Sequence, residues 1–142
     1  MRLVKAEKEI NKEVISILEE AGLRNGDLLD DDEFKSLGKE VPFWNLLAER
    51  KEAAALPLNV IWQVVGIDPI GKADDKVSIR RAYVGIDIYA TNKVRKQDLI
   101  ALIDKIDEKF IENNWDFEKA SFDSVNNEGG KTLYRYEAIK KI

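Results

Sequence analysis

The stretch "VGIDIYATNKVRKQDLIALIDKIDEKF", Val84 to Phe110, changes its hydrophobic period partway along. Val84, Ile86, Ile88 and Ala90 alternate with other residues, the spacing of a strand with one face turned to a core. Leu99, Leu102, Ile103, Ile106 and Phe110 then recur at threes and fours, the spacing of an amphipathic helix. Thr91 or Asn92 offers an N-terminal cap for that helix, and Asn113 with Asn114 closes it. Asp87 lies between two isoleucines, yet it shares parity with Arg81, Tyr83, Gly85 and Tyr89. That face of the strand is polar and aromatic, so Asp87 reads as a surface or interface acid and not a catalytic one.

Working outward, "KVSIRRAYVGIDIYAT" is the longest strand signal. Val77 and Ile79 have the opposite parity to Ala82 and Val84, which predicts a register shift near Arg80 and Arg81. "PLNVIWQVVGI" precedes it as a second strand, with "DPIGKADD" as the connecting turn. On the other side, "WDFEKASFDSV", the turn "NNEGG" and "KTLYRYEAI" form an antiparallel hairpin.

The chain begins with a helix over about Ala6 to Ala21, striped by Ile10, Val14, Ile17 and Leu18 and ended by Gly22. "RNGDLLDDDEFKSLGKEVP" is a loop with one helical turn. "FWNLLAERKEAAAL", Phe43 to Leu56, has the propensity of a second helix stopped by Pro57. This order predicts an α+β domain: a mainly antiparallel sheet with helices packed on one face. One domain spans 1–142, with 25–56 as an insertion or helical elaboration.

Composition removes several chemistries. The 142 residues are 44% hydrophobic and 35% charged, as expected of a globular chain with a charged surface. There is no cysteine and no histidine, so thiol nucleophiles, disulfides and Cys/His zinc sites are out. A net charge of −4 without a basic block argues against gripping nucleic acid through its phosphates. The start, "MRLVKAEKEI", does not read as a signal peptide, and no run reaches the roughly 18 apolar residues of a membrane span.

Motifs fare no better as chemistry. "GIDPIGKA", Gly66 to Ala73, meets the P-loop pattern until its last position, where Ala73 replaces the hydroxyl that would ligate magnesium. It also leads into a strand instead of the helix whose amides hold phosphate. The acidic knot Asp27, Asp30, Asp31, Asp32 and Glu33 lacks EF-hand spacing and reads as a solvated loop. The tryptophans Trp44, Trp62 and Trp115, with Tyr134 and Tyr136, read as core. No catalytic residue, metal ligand or cofactor-binding residue is nominated, and no cofactor is expected.

The run "ADDKVSIRRAYVGIDIYAT", the helix after it, "NNWDFEKASFDSV", the glycine hairpin and "TLYRYEAIKKI" together resemble the tail terminator, or tail-completion, proteins of long-tailed bacteriophages. The resemblance covers Pro57 to Ile142 and rests on residue-type patterns such as "IDIY" at the strand's end. It implies a structural protein of the virion neck, assembled in the host cytoplasm. Such proteins form a homo-oligomeric ring, typically hexameric, that caps the tail tube protein and offers a surface to the head–tail connector. DNA passes through the ring without specific binding, and no membrane is involved. On that reading Arg80, Arg81, Tyr83, Asp87 and Tyr89 lie at or near a subunit boundary. The acidic residues Asp27, Asp30, Asp31, Asp32 and Glu33 line the lumen, where like charge keeps DNA from sticking. Three alternatives stand beside it: another small head–tail joining or tube-associated virion protein, an intracellular binding domain, or an enzyme without a recognisable motif.

Overall fold

A computed structural model describes residues 3–48, 56–70, 79–125 and 131–141. Six strands form one sheet in the order β1-β2-β3-β4-β6-β5. The strands are β1 (Arg24–Asn25), β2 (Pro42–Asn45), β3 (Leu58–Ile70), β4 (Ile79–Ala90), β5 (Asp116–Val125) and β6 (Lys131–Lys141). The helices are α1 (Leu3–Glu20), the short α2 (Asp31–Lys35) and α3 (Lys96–Glu112). The pairs β3–β4, β4–β6 and β6–β5 are antiparallel, whereas β1–β2 and β2–β3 are parallel at one edge. The α+β class and the mainly antiparallel sheet are as the sequence predicts.

Alternation along β4 builds the main core. Ala82, Val84, Ile86 and Ile88 are fully buried. They meet Ile10, Val14, Ile17 and Leu18 of α1 and Leu99, Ile103, Ile106 and Phe110 of α3. Burying each large aliphatic or aromatic side chain contributes about 1.5–3 kcal/mol, so this layer dominates stability.

Both long helices end in the same way. The Gly22 N–H donates to the Glu19 carbonyl and the Leu23 N–H to that of Leu18, with Gly22 at φ +88°. At the end of α3, Asn114 takes φ +66°, donating to Ile111 while Trp115 donates to Phe110. These are Schellman closures, and the accompanying apolar contact is strong in the second: the Phe110 and Trp115 rings meet edge to face at 5.7 Å.

A polar clasp then ties helix ends to the sheet. The Trp115 indole N–H donates to Glu13 of α1 at 2.9 Å. The Lys140 ammonium of β6 donates to the same carboxylate and to the Asn113 carbonyl. Nearby, the Tyr136 hydroxyl donates to Asp107 at 2.6 Å, and burial, followed by that bond, pushes the phenol well above its ordinary range.

Four sequence expectations need correction. Residues 43–45, placed in a helix by propensity, belong to the strand β2, which is followed by a 3-10 turn at Leu46–Ala48. Phe43 and Trp44 point to opposite sides and both are buried, so tertiary burial overrides helix propensity here; residues 49–55 lie outside the described residues. Helix α3 starts at Lys96 with Arg95 as its N-cap, while the Thr91 hydroxyl accepts from the Lys93 N–H in the preceding turn. The register shift falls between Val64 and Gly66 of β3; β4 pairs with β6 without interruption from Arg81 to Ala90. The extra residue, Val65, moves the inward positions from Val60, Trp62 and Val64 to Ile67.

The second face of the sheet also departs from the expectation that helices pack on one face. The two long helices share one face, as expected, but α2 and its flanking turns sit on the other. There Leu29, Phe34, Leu37 and Trp44 form a smaller core with Leu56 and Ile61. Among the described residues, the lobe packs on the β2–β3 side of that face, against Trp44 and Ile61.

Candidate functional site

The face of β4 opposite the main core carries the residues singled out in the sequence. Arg81, Tyr83, Asp87 and Tyr89 share it and are half-buried. The Arg81 guanidinium stacks 5.3 Å from the Tyr83 ring centroid, and its Nε–H is buried without a hydrogen-bond partner among the described residues. The backbone of Arg80 pairs with Pro69; its side chain lies outside the described residues.

Pairing with β6 and β5 adds residues the sequence reading did not nominate. Asp87 stands across from Arg135, and Gly85 across from Glu137, which in turn faces Lys119. Arg135 and Asp87 form an ion pair at 3.7 Å, Lys119 and Glu137 one at 3.9 Å. Desolvation raises the Asp87 carboxyl above its ordinary value while Arg135 pulls it back. The same burial, with the Asp87 charge, raises the Tyr89 phenol.

Gly85 leaves a gap in this row. A Cβ there would lie 3.2 Å from a Val65 methyl, so the bulged valine leans over the glycine. The result is a shallow depression of about 440 Å³ lined by Gln63, Val65, Gly85, Asp87, Lys119 and Arg135. Toward the Ala90 end the face closes again, with Asn59 and Leu133 each 5% exposed. Strand β5 forms the sheet's edge, and Asp116 to Ser121 are exposed along it. Parity alone could not reveal the cross-strand partners, because they depend on the register of a hairpin whose turn is five residues long.

The acidic knot has local work. Asp30 caps α2 through the Glu33 N–H at 2.8 Å, and the Glu33 carboxylate returns the bond to the Asp30 N–H. This is a capping box, and Asp31, Asp32 and Glu33 also complement the helix dipole. Asp27 accepts from the Asn45 N–H at 3.2 Å, tying the turn to β2. Arg24 pairs with Glu33 and Glu40. Among the described residues, no three acids converge as a metal site would require.

The P-loop-like stretch follows the same pattern: Gly66 to Ile70 continue β3 in extended conformation, and residues 71–73 lie outside the described residues. Trp44, Trp62, Trp115 and Tyr136 are buried core residues and Tyr134 is partly buried against the core. Among the described residues no helix is long and apolar enough to cross a membrane. No family model matches the chain, and no curated protein matches it in sequence.

Proposed function

We propose that this chain is a structural assembly protein of the phage tail-terminator kind. It forms a ring, hexameric by the resemblance, that caps the tail tube, meets the head–tail connector and lets DNA pass through its centre. It works by fitting surfaces together and makes or breaks no covalent bond.

The observation that carries this reading is the second face of the sheet. A strand that buries alternate residues completely on one side presents Arg81, Tyr83, Asp87 and Tyr89 on the other, beside a shallow charged groove. Arginine and tyrosine are the residue types that anchor protein contacts, and a groove this open suits a surface better than a small substrate. The order of long strand pair, amphipathic helix and returning hairpin is the plan the resemblance implies.

The test is mass in solution, by light scattering and native mass spectrometry, with negative-stain images of any ring. A hexameric mass is expected, and Arg81→Glu lowers it. A wild-type chain that stays monomeric at high concentration ends this reading.

A further inference from the structure

The groove and the α2 lobe carry opposite charge on their outer surfaces. In the groove the acids are sunken: the Asp87 and Glu137 side chains are each 21% exposed. Their partners reach outward, Arg135 at 60% and Lys119 at 75%. Both ion pairs are long, at 3.7 and 3.9 Å, so each cation keeps N–H donors free for another acceptor. What a visitor meets first is therefore positive, with the half-exposed Val65 methyls beside it.

The lobe presents the complement. Asp30 and Glu33 are engaged in the capping box, whereas the exposed carboxylates of Asp31 and Asp32 have no ion-pair partner among the described residues. Leu28, just before them, is 77% exposed. Each copy thus offers one acidic lobe with an apolar residue and one basic groove with an apolar residue, on different parts of one sheet face.

We propose that the α2 lobe of one copy docks on the open groove of the next, Asp31 and Asp32 meeting Lys119 and Arg135, with Leu28 against Val65. The inference rests on the ring reading above and names its subunit contact. The lobe already covers the β2–β3 side of its own sheet through Trp44 and Ile61; the neighbour's lobe covers the groove beside it. Two different surfaces meeting head to tail make a heterologous contact, which repeats from copy to copy and closes into a ring when the rotation per subunit allows. Two of the five acids expected along the lumen are thereby assigned to the boundary between subunits.

Two charge-reversal variants of the full chain test this by native mass spectrometry at low salt, where such contacts are least screened. Asp31→Lys/Asp32→Lys leaves the capping box intact, and Lys119→Glu/Arg135→Glu changes the groove; thermal melts establish that both are folded. If the second variant does not fold, Lys119→Glu alone replaces it. Each variant by itself is expected to fall to monomer, or to associate at least tenfold more weakly. An equimolar mixture regains the wild-type mass, because lobe and groove charges are then complementary between unlike chains. A wild-type ring whose mass survives in both variants overturns this contact and leaves the ring reading standing. A monomeric wild type removes the ring reading and this contact together.

Discussion

The two faces of β4 differ in how completely they are committed. On one side Ala82, Val84, Ile86 and Ile88 are sealed beneath α1 and α3. On the other, one residue away in sequence, Asp87 meets Arg135 in a long ion pair beside a glycine gap. The first face spends its side chains on holding the domain together. The second adds less to stability, since long ion pairs whose cations are well exposed contribute about 0–1 kcal/mol. That leaves its shape and charge free to serve contact with another surface.

The sharpest way to break this contrast is to cut equally chosen side chains from each face. Phe110 is fully buried against Trp115 and Tyr136, so Phe110→Ala is expected to cost about 3–5 kcal/mol. Val65→Ala on the open face should stay within about 0.5 kcal/mol in the monomer. Urea melts measure both. Equal losses would mean that the open face is packed after all.

Polar groups give a smaller version of the same comparison. Glu13 accepts from both the Trp115 indole and the Lys140 ammonium, in partly buried surroundings. Glu13→Ala leaves the indole without its acceptor and should cost about 1–3 kcal/mol. Glu137→Ala removes only a long pair to a well-exposed lysine and should cost less than about 1 kcal/mol. If Glu137 proves the more costly loss, the groove is a structural element and its proposed role as a docking surface weakens.

The same contrast explains what could be read from the sequence. The closed face was legible because period-2 and period-3.6 patterns report burial directly: the inward residues of β4 and four of the five predicted positions on α3 are buried. Gly22 and the asparagines after α3 announced their helix ends through backbone chemistry that few other residues supply. Strand β2 was misread because four residues carry too little periodicity to compete with the helix formers after them. The bulge was displaced because both strands change parity, and β3 held the decisive signal in "VIWQVVGI", where Val64 gives way to Ile67. The open face was legible only as far as Arg81, Tyr83, Asp87 and Tyr89. Arg135, Glu137 and Lys119 belong to it through hairpin register, which local residue types do not encode.

The smallest expected effect is also the one that probes how deeply the open face is desolvated. Burial raises the Asp87 carboxyl above its ordinary value, and Arg135 opposes the rise. Between the unfolded and folded pKa the native state binds more protons than the unfolded chain. Stability therefore falls as pH rises through that window, and is unaffected by this group below it. Asp87→Asn removes the titration, so the stability of wild type relative to the variant should decline from acid toward neutral pH, as read by urea melts at each pH. A relative stability that climbs instead would mean the Arg135 pair outweighs desolvation. If the proposed lobe-to-groove contact forms, it covers the groove and Asp87 loses more water, so the decline should extend to higher pH in the oligomer than in a dissociated variant. If Asp31 and Asp32 of the neighbour draw Arg135 away from Asp87, that extension grows further, because the group opposing the shift is then shared.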